Sequence, residues 1–391
     1  MNFNDCIILA GGAGTRLWPA STAKNPKQFL AIPPGRSFLS AAIERALSVI
    51  QDTDDSRIII ISGSSHIPAI VDLCSYFTME QQKHFVLIPE PDAKNTAPAI
   101  ASSLLYINWA AGGMDRNILV LTSDHIISPL EIFKTDAAAA SAFAQQDKLV
   151  VFGIPPLSPH TGYGYIETSD VLSVPAGEEE RKMGHYEPMV YRTVSFKEKP
   201  DRKKAEEFLE AGNYCWNSGM FAFSSRFMLN EFREKAPDLF SPFLKLRAPD
   251  ERAHEIRRGL RVLEKWEGLE TTYRNAPKIS FDYAIAEKCR ETVMVKAAFQ
   301  WSDVGSWDEY VKFLVESAEL PETEVYRVAS ENTFVDSDIP VALVSAEDLI
   351  VVIRSGKDGG PQTALIAKKG ETQKVQDIVR QINDAGRIEL L

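Results

Sequence analysis

Within the first 155 residues, short β-branched and apolar runs alternate with segments long enough to be helices. The runs are Cys6–Ala10, Arg57–Ser62, Phe85–Pro89, Ile118–Thr122 and Leu149–Gly153. Between them lie helix-length stretches near Phe38–Ile50, His66–Phe77, Thr96–Ala110 and Leu130–Gln145. The runs lack the apolar–polar alternation of a strand with one wet face, so each is read as buried on both faces. Such strand–helix–strand repetition folds through right-handed crossovers into a mainly parallel sheet covered by helices. Ligands of these sheets bind beyond the carboxyl ends of the strands. The loops at Gly11, Glu90, Ser123 and Ile154 are therefore the places to look.

From Pro155 to Tyr310 the pattern loosens. A polar loop is expected at Ala176–Lys182, a strand at Val190–Phe196 and a charged helix at Arg202–Glu210. Ile256, Leu260, Leu263 and Trp266, spaced by four, three and three, predict an amphipathic helix with Asp250 as its cap. After Leu320, Thr333–Val335, Val341–Val344, Leu349–Ile353 and Thr363–Ala367 read as short strands. Val375, Ile378, Val379 and Ile382 then mark one apolar face of a helix. The expected division is 1–320 as a catalytic domain and 321–391 as a small β-rich domain ending in that helix.

Lysine plus arginine number 43 against 54 aspartates plus glutamates, a net charge of −11. That balance argues against a nucleic-acid backbone as partner. Cys6, Cys74, Cys215 and Cys289 are far apart and form no CxxC, so they are read as reduced packing residues and the chain as cytoplasmic. The first apolar run lacks a basic leader and stops at Gly11, so no signal peptide is expected. No apolar stretch approaches the ~18 residues of a membrane span, and no membrane partner is expected.

The strongest chemical signal is Leu9-Ala10-Gly11-Gly12-Ala13-Gly14-Thr15-Arg16-Leu17-Trp18-Pro19, followed by Pro26-Lys27-Gln28-Phe29-Leu30. A buried strand runs straight into Gly11, Gly12 and Gly14. Glycines let backbone N–H groups approach an anion closely. Arg16 and Lys27 place two cations near the same loop, which suits a triphosphate whose charge grows on leaving diphosphate. A tight turn with solvated basic residues would look similar. The Walker A ending GK[ST] is absent, and the third glycine of a dinucleotide fingerprint is replaced by Leu17. Asp124 follows a buried strand and Asp303 lies in a Trp-flanked turn; two carboxylates with phosphate oxygens and water suit Mg²⁺. His125 stands beside Asp124, and the six histidines form no metal-ligand spacing.

This string resembles the signature of sugar-1-phosphate nucleotidyltransferases. The Trp18-Pro19 and Gln28-Phe29 variants are similar to its mannose-1-phosphate guanylyltransferase branch. Further segments agree in order: Asn95-Thr96-Ala97-Pro98-Ala99, Ser123-Asp124-His125, Gly162-Tyr163-Gly164-Tyr165-Ile166 and Phe196-Lys197-Glu198-Lys199-Pro200. Trp216-Asn217-Ser218-Gly219-Met220-Phe221, Phe281-Asp282-Tyr283-Ala284 and Trp301-Ser302-Asp303-Val304-Gly305-Ser306-Trp307 complete the set, over about residues 5–310.

The resemblance implies a Rossmann-like α/β nucleotidyltransferase core, with a mostly parallel mixed sheet and a short β-helix-like C-terminal end. It implies transfer of GMP from GTP to α-D-mannose 1-phosphate by in-line attack, giving GDP-mannose and diphosphate. Arg16 and Lys27 are the implied catalytic cations, and Asp124 and Asp303 the implied Mg²⁺ ligands. Gly11, Gly12 and Gly14 with Asn95 and Thr96 would bind the nucleotide, the Glu90–Ala99 segment choosing guanine. Gly164, Glu198, Lys199 and Asn217 would bind the sugar phosphate; Asp282 matches a family position without an assigned role. A homodimer is expected. Bifunctional relatives carry a cupin domain with isomerase activity; roughly 70 residues after 320 are too few for it and hold no histidine, so no isomerase activity is expected. Another sugar 1-phosphate or nucleotide, or a non-catalytic sugar-nucleotide sensor, are the alternatives.

Overall fold

The apolar runs form the centre of one large sheet in the computed structural model, which describes residues 2–12, 14–32, 35–172, 186–318, 320–356 and 361–391. The loop expected at Ala176–Lys182 lies outside the described residues. Strands β1 (Asp5–Leu9), β2 (Arg57–Gly63), β3 (Phe85–Glu90), β4 (Asn117–Thr122) and β5 (Leu149–Ile154) each fall within one residue of the run that predicts them. Helices α1 (Phe38–Val49), α2 (Ile67–Cys74), α3 (Thr96–Ala110) and α4 (Leu130–Ala144) lie between them in the chain. Ile7, Ile60, Leu87, Val120 and Val151 are fully buried, as strands covered on both faces require.

The sheet continues with β6 (Tyr165–Leu172), β7 (Met189–Lys197), β8 (Tyr214–Ser224), β9 (His254–Arg257), β10 (Leu260–Leu263) and β11 (Thr292–Lys296). Helices α5 (Arg202–Ala211) and α6 (Ser225–Lys235) flank β8 in the chain. The strand order is β9-β10-β3-β2-β1-β4-β8-β5-β11-β7-β6. Strands β10, β3, β2, β1 and β4 are parallel, whereas β8 runs against both β4 and β5. Because β6 also pairs with β8, strands β8, β5, β11, β7 and β6 close on themselves. The register of β8 against β5 jumps between Asn217↔Gly153 and Phe221↔Val151. Gly219, at φ 73°, sits in that bulge, a device that re-aims neighbouring side chains.

The helix expected across Ile256–Trp266 is instead the hairpin β9–β10. Arg258 and Gly259 adopt φ 49° and 86°, the left-handed values of a tight two-residue hairpin turn. The helical spacing arose from residues on two strands and the loop beyond, with Ile256 exposed on the edge and Leu260 buried. Asp250 caps only the single turn Glu251–Ala253, accepting the Ala253 N–H at 3.0 Å.

The chain divides into two compact units. The first, Met1–Gly11, Ala42–Ser123 and Ile127–Trp301, carries the whole large sheet. The second gathers Gly12–Ala41, Asp124–Ile126 and Ser302–Leu391. This division by compactness is drawn on other grounds than the expected one, 1–320 against 321–391. In the second unit α7 (Trp307–Glu316) precedes β12 (Val325–Val328), β13 (Phe334–Ser337), β14 (Val341–Val344), β15 (Leu349–Arg354) and β16 (Thr363–Lys368). Parallel partners are sixteen residues apart in both β12–β14 (Val325 with Val341) and β13–β15 (Phe334 with Ile350). Two coils thus stack as in a β-helix, and β16 closes antiparallel to β15. Helix α8 (Val375–Asp384) follows. Its Val375, Val379 and Ile382 join a core built on Leu17, Trp18, Phe38, Trp307 and Ile350, while Ile378, expected on the same face, is 40% exposed. Among the described residues no helix is long and apolar enough to cross a membrane.

Candidate active site

The second unit builds a charged cluster from three chain segments. Gly14 adopts φ 57°, and a Cβ there would collide with the Lys27 side chain. A glycine is therefore needed both for the backbone and for the approach of Lys27. The residues that follow form a turn, Thr15–Leu17; its Leu17 and the Trp18 after it are buried. Arg16 in that turn remains about half exposed.

Lys27 is buried. Its ammonium donates to Asp124 Oδ2 at 3.0 Å and to the backbone carbonyl of Asp303. Arg16 Nη2 lies 3.9 Å from Asp303 Oδ2. A Cβ on Gly305 would come within 2.9 Å of Arg16 Nη1 and 3.2 Å of Asp303 Oδ2. The turn holding Asp303 is fixed from the next helix: Glu309 accepts the Gly305 N–H, and Ser306 Oγ accepts the Glu309 N–H at 3.3 Å. Burial opposes ionisation of Asp124, yet Lys27, His125 and Arg16 hold its carboxyl below the usual range. Glu309 goes the other way, raised by burial and by the Asp303 carboxylate. His125 Nε2 is 3.8 Å from Asp124 Oδ1. Lys27 thus ties the Asp124 carboxylate to the Asp303 backbone, and the side chains of these two aspartates are the carboxylates that could hold a hard divalent cation. Such an ion accepts one or two carboxylates when phosphate oxygens and water complete its shell.

The first unit builds a cluster of hydrogen-bonding groups. Asn217, beside the bulge of β8, donates its backbone N–H to the Gly164 carbonyl at 2.8 Å. Its amide is oriented from both ends: Nδ2 donates to Asp282 Oδ1 at 2.8 Å, and Oδ1 accepts the Gly219 N–H at 3.1 Å. A Cβ on Gly164 would lie 2.5 Å from Glu198 Oε2, so glycine lets that carboxylate lie against the backbone. Lys199 Nζ is 3.0 Å from Glu198 Oε1 on a mostly exposed side chain. Burial, then the Glu198 carboxylate, push Asp282 up to about 6. His160 and Tyr163 stack at 3.9 Å, and Tyr163 meets Trp216 and Trp301 edge-on at 5.1 and 5.4 Å.

Also in the first unit, Asn95 adopts φ 71° and caps α3, its Oδ1 accepting the Thr96 N–H at 2.8 Å. Thr96 Oγ1 accepts the Phe281 N–H at 2.8 Å. Both polar groups thus work for the fold, leaving the Asn95 Nδ2 and the Thr96 hydroxyl proton for a ligand. Glu90, the last residue of β3, opens the segment expected to choose guanine but is not singled out there as a site residue. Burial pushes its carboxyl up to about 7, and Oε1 is buried without a hydrogen-bond partner among the described residues. A Cβ on Gly11 would lie 3.8 Å from Glu90 Oε2. The available signal was an acid at the carboxyl end of a buried strand.

The nucleotidyl transferase family pattern covers residues 5–319. The chain is 32% identical over 387 residues to the mannose-1-phosphate guanylyltransferase of Escherichia coli (strain K12), covering 98% of this chain and 74% of that one. It is also 32% identical over 387 residues to the alginate biosynthesis protein AlgA of Pseudomonas fluorescens, covering 98% and 72%. A crystal structure described as mannose-1-phosphate geranyltransferase from Thermus thermophilus matches with a TM-score of 0.75 at 25% identity, covering 98% of this chain and 100% of that one. With its sheet, its glycine-rich turn and a match over most of its length, the chain belongs to the nucleotidyl transferase family.

Proposed function

We propose that this chain transfers GMP from GTP to α-D-mannose 1-phosphate, giving GDP-mannose and diphosphate. The name of the Escherichia coli relative supplies the substrate pair. The observation that carries the chemistry is the Lys27 ammonium held by Asp124 and the Asp303 carbonyl, with Arg16 beside the Asp303 carboxylate. A phosphate oxygen of the sugar attacks the α-phosphorus of GTP. One P–O bond forms, the bond to the β-phosphate oxygen breaks, and diphosphate leaves with the electron pair. No general base is needed, because the attacking phosphate is already ionised.

Positioning and charge neutralisation then carry the rate. In the second unit the backbone at Gly12 and Gly14, with Arg16 and Lys27, takes the phosphates. Enzymes of this family generally use a divalent metal. Asp124 and Asp303 would hold Mg²⁺, whose chemistry there is to neutralise phosphate oxygens. In the first unit Gly164, Glu198 and Asn217 bind the sugar hydroxyls and Lys199 its phosphate. Asp282 orients the Asn217 amide. Asn95, Thr96 and the backbone at Gly11 read the base. The unpartnered Glu90 oxygen is an acceptor for the two N–H donors that guanine presents and adenine lacks in that arrangement.

The test is diphosphate release measured across four nucleoside triphosphates and several sugar 1-phosphates. GTP should exceed ATP in kcat/KM by on the order of 10²-fold or more, since a site that pairs polar edges rejects a base lacking them. Equal use of GTP and ATP would remove the guanylyl assignment but keep the reaction class; no release with any pair would leave a sugar-nucleotide sensor.

A further inference from the structure

Arg16 has little to hold its side chain. The guanidinium is half exposed, and 3.9 Å to Asp303 is beyond hydrogen-bond reach. Its position must come from backbone. The Leu17 and Trp18 N–H groups donate to Gly14 and Thr15 carbonyls at 3.1 Å, and Ala20 and Ser21 both donate to the Leu17 carbonyl at 3.0 Å. This compact turn is tied to two places further along the chain within the second unit. The Trp307 indole N–H donates to the Trp18 carbonyl at 2.9 Å. The Trp18 indole N–H donates to the Leu390 carbonyl at 2.7 Å, and the Ala23 N–H to the Leu391 carbonyl at 2.6 Å.

Helix α8 packs on the Thr15–Leu17 turn, and its Val375, Val379 and Ile382 share a core with Leu17 and Trp18. An open surface pocket of about 470 Å³, lined by Thr15, Trp18, Thr22, Val379, Asn383 and Leu391 among others, lies beside it. Apolar packing alone does not fix one register, because it is non-directional. The two hydrogen bonds at Leu390 and Leu391 supply the direction.

We propose that the segment Val375–Leu391 is a strap that positions Arg16, acting through Trp18. This rests on reading Arg16 as the cation that meets the leaving diphosphate. Trp18 is a positioning residue: its ring and indole N–H connect the strap to the residue two places before it. A misplacement of the guanidinium costs most when charge builds on the leaving group, so the strap should govern turnover rather than ground-state binding.

In the full-length chain, Trp18→Phe keeps an aromatic ring and removes the N–H donor. Ile382→Ala is a milder second variant that weakens α8 docking and leaves every residue and hydrogen bond of the turn itself in place. Each should lower kcat, Trp18→Phe by roughly tenfold, a misplacement effect, while leaving the KM for GTP and for mannose 1-phosphate unchanged. Both should speed amide hydrogen exchange at Leu17 and Trp18. In an Arg16→Ala background Trp18→Phe should cost no further activity, because the strap acts through Arg16. The same loss in that background, or exchange unchanged across residues 15–23 in both variants, overturns the proposal. If the wild-type chain turns over no substrate pair, the functional reading fails by itself; faster exchange would still support the strap, and unchanged exchange would overturn it.

Discussion

In the unit that carries the large sheet, burial pushes the carboxyls of Glu90, Asp136 and Asp282 up to about 7, 6 and 6. In the unit that carries the glycine turn, Lys27, His125 and Arg16 hold Asp124 down despite its surroundings. The first arrangement spends desolvation to make strong, oriented acceptors, with Asn217 fixed between Asp282 and Gly219. The second keeps opposite charges in contact, through Lys27 and Asp124 at 3.0 Å. Hydroxyls and base edges are neutral ligands that oriented acceptors can read; phosphates and cations need standing charge. Glu309 marks the limit of this contrast, since burial raises it inside the charged unit. Its carboxylate serves the Gly305 N–H rather than a cation.

The contrast predicts that charge changes in the second unit destroy turnover. Asp303→Asn should lower kcat by roughly 10³-fold, about 4 kcal/mol, and shift the metal dependence while the fold survives. Kinetics across Mg²⁺ concentrations with a thermal melt check this, and near wild-type activity at ordinary Mg²⁺ would remove Asp303 from the site. Arg16→Lys keeps the charge but loses the planar fork. It should cost roughly 10²-fold in kcat, about 2.7 kcal/mol, with a smaller change in GTP affinity. Strongly weakened GTP binding with an unchanged single-turnover rate would make Arg16 a binding residue only.

Two glycines sharpen the division. An alanine at Gly164 would press on Glu198 Oε2 and sit 3.2 Å from the Phe196 ring; one at Gly305 would press on Arg16 Nη1. Gly164→Ala should raise the KM for mannose 1-phosphate by roughly tenfold with less effect on kcat, and Gly305→Ala should do the reverse. Steady-state kinetics on the pair decides it, and interchanged signatures would break the assignment of roles to units.

The units should also answer pH with opposite signs. Asp282 is raised from 3.8 to about 6 in the folded chain. Between those values the folded chain keeps a proton that the unfolded chain has lost. Its contribution to stability is therefore fully present below pH 3.8 and lost as pH rises through about 6. Asp124, lowered instead, contributes stability above pH 3.8 that is lost as pH falls through its folded-state value. Asp282→Asn should flatten the decline of Tm between pH 4 and 6, and Asp124→Asn should not. Parallel melting curves for Asp282→Asn and the wild type would mean that Asp282 titrates normally.

Much of this could be read from the sequence where local pattern decides structure. Strands β1 to β5 are buried on both faces, so each is an unbroken apolar run. The β9–β10 hairpin reads as a helix because two short strands imitate a helical period. Strand β8 was visible only as a motif, since its bulge places Asn217, Ser218 and Gly219 inside an otherwise apolar strand. The charged cluster joins Lys27 to residues 97 and 276 positions away, which no local pattern reveals; the family resemblance supplied its members. Glu309 is not legible in the sequence, and Glu90 only as the first residue of the segment expected to choose guanine, because an acid gains its meaning from burial, and burial is a property of the fold.

The smallest effect gives the most discriminating comparison. Ser306 and Ser224 are both buried helix caps, accepting the Glu309 N–H at 3.3 Å and the Phe227 N–H at 3.2 Å. Ser224 also donates to Asp147 at 3.1 Å. Losing a serine cap costs ~1 kcal/mol, so Ser306→Ala and Ser224→Ala should destabilise the chain by similar amounts in chemical denaturation. Their effects on turnover should differ. Ser224 pairs with Asn117 at the start of β4, the opposite end of that strand from Thr122. Ser306 opens α7, whose Glu309 holds the Gly305 N–H beside Asp303 and Arg16. Ser306→Ala should therefore lower kcat several-fold where Ser224→Ala leaves it unchanged. Equal losses of kcat would mean that global stability, not the geometry of the Asp303 turn, limits activity, and the contrast between the two units would lose its mechanistic content.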